Sequence, residues 1–213
     1  MRILGIDPGL RCTGWGVIAL DGGRLQHIAN GAIQPKPTLD DAARLQIIFD
    51  GLCEVINLHQ PDQAAIEQIF VAKSAGSALR LGMARGVGIL ACGANRLGVG
   101  EISARAVKKA VAGTGTADKK QIQDMVTRLL AVTAQNADAA DALAIAIAAS
   151  NEAGTAASVG VELSQGQMSQ GQMNQGQMGK GLSAASPRHL PEMMPAMGAR
   201  HDCAIAWHHS ANR

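Results

Sequence analysis

Asp138 and Asp141 stand three residues apart in the run Asn136-Ala137-Asp138-Ala139-Ala140-Asp141-Ala142-Leu143. On a helix this spacing sets their Cβ atoms about 5–6 Å apart on one face, so both can reach one metal ion or two adjacent ones. Two further acids fall near predicted strand ends, Asp7 before Pro8-Gly9 and Glu67 in Ala65-Ile66-Glu67. If the helix packs across those ends, four carboxylates meet. Unshielded they would repel, and some would keep protons; divalent cations remove the conflict. Hard oxygen donors suit Mg²⁺ or Mn²⁺, and two ions about 3.5–4 Å apart can activate water and stabilise the leaving oxygen in phosphodiester hydrolysis. Taken singly, Asp7 also reads as a turn residue, Glu67 as a strand-end acid and Asp138 as a first-turn acid on a helix dipole. Asp141 resists such a reading, because its Ala/Leu/Ile surroundings look buried and an unpaired acid there is costly.

The elements that must position these acids follow from periodicity. Residues 3–7 read as a short buried strand, and 13–20 and 24–33 as a hairpin turning at Asp21-Gly22-Gly23. Ala42, Leu45, Ile48, Phe49, Leu52, Val55 and Ile56 recur at helical spacing, with Thr38 as N-cap and Pro61 as terminator. A strand at 63–68, reached through that crossover helix, should lie parallel to the first, bringing Asp7 beside Glu67. Residues 77–95 read as a helix poor in large side chains, where Gly82, Gly86 and Gly88 answer a close contact with either a second subunit or the sheet. A strand at 99–103, helices at 104–111 and 119–130, and a last helix capped by Asn136 and ending at Ala149 complete a mixed α/β domain of residues 1–150.

The 213 residues carry 19 Lys+Arg against 17 Asp+Glu, but between Lys73 and Arg128 there are ten basic residues and three acidic ones. Such a segment can neutralise several phosphates, or simply be a solvated helix surface. Lys108, Lys109, Lys119 and Lys120 flank Gly113-Thr114-Gly115, whose spacing does not fit a Walker motif. Phe70, one of two Phe in the chain, either joins the core or stacks on bases, a contact worth about 1–3 kcal/mol per base. The longest apolar runs, such as residues 142–149, fall short of a membrane span, and Asp7 and Arg11 interrupt any signal-peptide core. Four Cys without C-x-x-C spacing speak against a zinc knuckle or disulfide framework and for a reduced cytoplasm. From residue 151 onward Gly, Ser, Ala and Gln dominate, and 164–178 repeats SQGQM, SQGQM, NQGQM. This composition predicts a low-complexity, disordered tail for 151–213. His201, Cys203, His208 and His209 could gather a metal there, but the surrounding sequence offers nothing to hold the ligands in place.

Five stretches, ILGIDPGLRCTGWGVI, AIEQIF, SALRLGMARGVG, ARAVKKAVAGTGTADKKQIQ and NADAADALAIAI, resemble in order and spacing the RuvC family of Holliday-junction resolvases over residues 1–150. The resemblance implies a ribonuclease H-like fold, a central five-stranded mixed sheet flanked by helices. It further implies a homodimer with two active sites on opposing strands of a four-way junction, and Asp7, Glu67, Asp138 and Asp141 as metal-binding catalytic acids. Phe70 then matches a base-stacking aromatic, and Lys108 and Lys119 match lysines that contact DNA. Implied too are paired, symmetric nicks with Mg²⁺ that leave 5′-phosphate and 3′-hydroxyl ends, and the partner proteins RuvA and RuvB. The tail has no counterpart in that pattern. Two other readings stand beside this one: a structure-specific DNA-binding protein without catalysis, and an actin-like ATPase, for which residues 151–213 cannot supply the second lobe.

Overall fold

The computed structural model describes residues 1–68 and 75–158. Phe70, the repeat at 164–178 and the tail's histidines lie outside them. Among the described residues, strands β1 (Arg2–Asp7), β2 (Thr13–Asp21), β3 (Arg24–Ile33), β4 (Gln63–Glu67) and β5 (Val99–Ile102) form one sheet in the order β3-β2-β1-β4-β5. The first three pair antiparallel, and β1–β4 and β4–β5 are parallel. Local chemistry dictates this mixture. The β2–β3 hairpin turns through Gly22 (φ 53°) and Gly23 (φ 87°), a left-handed backbone that glycine adopts without penalty. The crossovers through helices α1 (Asp41–His59) and α2 (Ala75–Ala94) return the chain in the same direction, giving the parallel pairs.

Period-two alternation sends neighbouring residues of each strand to opposite faces. Leu4, Ile6, Val17, Ala64 and Ile66 pack with Ile48, Leu52, Val55 and Ala91 on the α1/α2 side. Ile3, Ile18, Ala65 and Ile102 pack on the other side with helices α3 (Ala104–Ala112), α4 (Lys119–Leu130) and α5 (Ala137–Ser158). Trp15 packs against the α1/α2 core, its ring 5.7 Å from that of His59. No helix among the described residues is long and apolar enough to cross a membrane.

Three boundaries depart from the sequence reading by more than one residue. Helix α1 is capped by Asp40, whose carboxylate accepts from Ala43 N at 2.7 Å, and not by Thr38, which sits in a turn closed by Leu39 N donating to Lys36 O. Helix α2 begins at Ala75, ahead of the expected residue 77. Helix α5 runs to Ser158 instead of stopping at Ala149. Apolar periodicity marks where burial ends, and Ser150 is the last buried side chain before exposed Asn151 and Glu152.

Candidate active site

Asp7 and Glu67 close β1 and β4. The parallel register runs to Ile6↔Ile66, so these acids form the next pair. By alternation both share the face of Ile3, Gly5 and Ala65, which α5 covers. The start of α5 is fixed twice: the Asn136 side chain accepts from Ala139 N at 2.8 Å, and Asn30 on β3 accepts from Gln135 N at 2.9 Å. Helix α5 then lies directly on the strands, because glycines stand beneath it. A β-carbon on Gly5 would collide with the Ala142 carbonyl and approach Ala146 N, and one on Gly14 would collide with the Asp138 carbonyl. Since Gly14 is the cross-strand partner of Asp7, this contact puts the Asp138 turn one strand away from Asp7.

Asp7, Glu67, Asp141, Lys108 and Lys119 line one cleft of about 220 Å³, with Ala104, Val107, Ile122, Ala144 and Ile145 as its apolar wall. Lys119, the first residue of α4, reaches across to Asp141, Nζ to Oδ2 at 2.6 Å. Its helix is held by a capping box in which Asp118 and Gln121 each accept from the other's main-chain N–H. Burial, then the charges of Asp141, Glu67 and Asp138, push Asp7 from its ordinary 3.8 up to about 7, with Lys119 opposing. Glu67 is also raised, by burial and then Asp141. Asp141 is raised by burial despite its bond to Lys119. The acids therefore share one field, and a single ammonium does not neutralise it.

This donor set fits a hard divalent cation: oxygens only, clustered, and with Asp7, Glu67 and Asp141 pushed toward their protonated forms by burial and mutual repulsion. Among the described residues no three acids converge tightly enough to form a finished ion cage. Mg²⁺ is ordinarily bound through one or two carboxylates, several waters and substrate phosphate oxygens, so a partial protein cage suits it.

Sequence reasoning missed three neighbours. The Cys12 thiol is pushed up to about 11 by burial first and then by its hydrogen bond to Asp138, with the Gln34 amide opposing. Arg44 on α1 donates to the Leu10 carbonyl at 2.8 Å, fixing the loop after Asp7. Arg85 on α2 donates to the Glu67 carbonyl at 3.2 Å. None had a local signal, since each contact spans distant segments. Phe70 follows Glu67 in sequence and lies outside the described residues.

The family model for crossover junction endodeoxyribonuclease RuvC matches residues 3–149. A RuvC of that name from Caulobacter sp. (strain K31) is 50% identical over 152 residues, covering 71% of this chain and 90% of the relative. One from Zymomonas mobilis is 51% identical over 148 residues, covering 69% of this chain and 89% of its own length. Among solved structures, Thermus thermophilus RuvC in complex with Holliday junction substrate superposes with a TM-score of 0.70 at 28% identity, covering 73% of this chain and 96% of that one. The sheet order and flanking helices are those of a ribonuclease H-like fold. The chain belongs to the RuvC family and is a crossover junction endodeoxyribonuclease.

Proposed function

We propose that the chain resolves four-way (Holliday) DNA junctions by paired symmetric nicks, with Asp7, Glu67, Asp138 and Asp141 holding the catalytic ions. The observation that carries this reading is the field at Asp7, where burial and then three other carboxylates raise its pKa to about 7. Family membership speaks against an actin-like ATPase, and a purely DNA-binding role leaves the shared carboxylate field without a use.

The family's chemistry depends on a divalent metal; here we assign Mg²⁺, with Mn²⁺ able to substitute, and two ions per subunit. When bound, such ions activate a water and stabilise the leaving oxygen. The chain's own groups do the rest. Lys119 pairs with Asp141 and, at 61% side-chain exposure, keeps its amine open to a backbone phosphate. Lys108 lines the same cleft from α3 and adds a second phosphate contact. Water adds to phosphorus as the bond to the 3′-oxygen breaks, leaving a 5′-phosphate and a 3′-hydroxyl. Phe70, three residues beyond Glu67, stacks on a base near the junction centre.

Symmetric nicking of a two-fold substrate needs two copies of the site, hence a homodimer. Helix α2 offers the face. Leu79 (66% exposed) and Leu90 (60% exposed) lie on one stripe with Gly82, Gly86 and Gly93, and a β-carbon at each of these glycines would meet nothing within 4 Å. An uncharged stripe at 3–4-residue spacing is the form a second helix packs against. Residues 1–150 form the nuclease domain and 151–213 a low-complexity tail; the family match over 3–149 supports that division. The remaining assignments, RuvA and RuvB as partners and a cytoplasmic location, rest on the resemblance and on the cysteine pattern.

The decisive assay is cleavage of a synthetic four-way junction with Mg²⁺, with and without chelator, beside linear duplex. Symmetric nicks on the junction alone, abolished by chelator, are expected. Equal cutting of both substrates, or junction binding with no cleavage in Mg²⁺, would overturn the reading.

A further inference from the structure

Glu67 is paired with Ile102 of β5, but its ladder toward β1 is incomplete. Continued by one step, the β1–β4 register would bond the Glu67 carbonyl to the main-chain N–H of residue 8. Residue 8 is proline, which has no N–H. A half-buried carbonyl is thus left without its ladder donor at the strand end that aims a site carboxylate, where an unmet acceptor is costly.

Arg85 fills that vacancy from α2. Its Nε donates to the Glu67 carbonyl at 3.2 Å, and its Nη2 pairs with Glu101 Oε1 on β5 at 2.7 Å. The Arg85 side chain is 17% exposed and that of Glu101 50% exposed, so the guanidinium is enclosed while its counter-ion faces solvent. An enclosed, doubly engaged guanidinium is poorly placed to bind a phosphate. It is well placed to clamp two strand ends, and its planar fork fixes both bonds at once.

We propose that Arg85 is a positioning residue for Glu67: it replaces the donor that Pro8 lacks and, anchored by Glu101, holds the end of β4 so that the Glu67 carboxylate faces the other acids. The assignment rests on reading Glu67 as an ion-holding acid, and the test separates the two claims. Mn²⁺ alone is titrated calorimetrically into the full chain for Arg85→Ala, Arg85→Lys, Glu101→Ala and Glu67→Gln. Hydrogen exchange across residues 63–68 and junction binding in chelator are measured alongside.

Arg85→Ala is expected to weaken Mn²⁺ binding about 10–100-fold, the range typical of groups that orient metal ligands, and to speed exchange at the strand end, with junction binding in chelator near that of the parent. Arg85→Lys recovers part of the loss, because an ammonium cannot reproduce the fork. Arg85→Ala added to Glu67→Gln costs no further ion affinity. Should Arg85→Ala not fold, Glu101→Ala decides, since Glu101 is half exposed: a smaller shift of the same sign supports the clamp, and parent-like Mn²⁺ binding and exchange overturn it. Parent-like Mn²⁺ affinity in folded Arg85→Ala, or loss of junction binding in its place, also overturns it. If Glu67→Gln itself binds Mn²⁺ like the parent, the reading of Glu67 as an ion-holding acid fails on its own; faster exchange at residues 63–68 in Arg85→Ala then still supports the clamp, and parent-like exchange overturns it.

Discussion

The two faces of the sheet are packed by different means. Against α1 and α2, the strands present Leu4, Ile6, Val17 and Ile66 to Ile48, Leu52 and Val55, so large side chains set the spacing. Against α5, they present Gly5 and Gly14, where backbone nearly meets backbone, and Gly16, which makes room for the Leu143 side chain of an alanine-rich helix. The first arrangement maximises apolar burial, at about 0.8 kcal/mol per buried methylene. The second gives up some of that for proximity. A helix held off by leucines could not bring Asp138 and Asp141 within reach of the strand ends that carry Asp7 and Glu67. The acids occur only on the close-packed face, which ties the packing to the chemistry.

The largest effect should come from the acids. Asp141→Asn keeps the shape and the partner of Lys119 but removes a negative oxygen. Cleavage of a four-way junction in Mg²⁺ is expected to fall by well over 100-fold, beyond the 10–100-fold typical of groups that only orient ligands, while junction binding in chelator is retained. Cleavage at a parental rate would remove Asp141 from the site and weaken the link between packing and charge.

The spacing itself can be tested next. Gly5→Ala drives a methyl into the Ala142 carbonyl and to 2.7 Å from Ala146 N, which are backbone atoms of a helix and cannot rotate away. Overpacking of this kind costs about 1–3 kcal/mol, and lifting α5 should cut the cleavage rate more than the stability loss alone explains. Gly88→Ala is the matched change on the other face. Its methyl meets the end of the Ile66 side chain at 3.1 Å, which can shift, and alanine favours the helix by about 1 kcal/mol. Cleavage and thermal melting of both variants, measured side by side, should show a large loss for the first and near-parental behaviour for the second.

Much of this was legible in the sequence, and what was not shares a cause. Strand alternation, the Gly22-Gly23 turn and the Asn136 cap are local signals, and each element they predict is present. Helical periodicity, however, reports burial, so it placed the end of α5 at Ala149 when the helix continues to Ser158. Thr38 and Asp40 are both acceptable caps in isolation; only the turn at residues 36–39 chooses between them. The glycines of α2 had two readings, and the structure divides them: Gly88 packs near Ile66, while Gly82 and Gly86 face open space. The Lys119–Asp141 pair and the Arg85–Glu67 bond depend on how helices dock, which no local pattern encodes.

A smaller effect follows from charge on the close-packed face. Asp7 moves from 3.8 in its ordinary state to about 7 in the fold, so between these values the folded chain holds a proton that the unfolded chain has released. Stability from this group is full below about pH 4 and is lost as pH rises through about 7. Glu67 and Asp141 are raised too and act in the same direction. Melting of the chelator-treated protein should therefore fall across that window, and Asp7→Asn should flatten the dependence and raise the melting point at pH 8. For a chain of this size each 1 kcal/mol corresponds to about 2–4 °C. A melting curve independent of pH in chelator would mean that the acids do not share a field.

The smallest expected effect concerns the outward side of α2. Gly86→Ala places its methyl where nothing lies within 4 Å, so in an isolated subunit the change should only favour the helix, by about 1 kcal/mol. If two α2 stripes pack together, the same methyl lies between the helices and widens their approach, because small residues are what allow backbones to come close. The two consequences have opposite signs and separate with concentration. At high dilution Gly86→Ala should melt above the parent; at high concentration the advantage should shrink or reverse as the parent dimer gains by mass action. Sedimentation should show a weaker dimer for Gly86→Ala and an unchanged one for Gly88→Ala, whose methyl points into the subunit. An advantage for Gly86→Ala that stays constant over concentration would leave the stripe exposed in the dimer and move the subunit contact to another face.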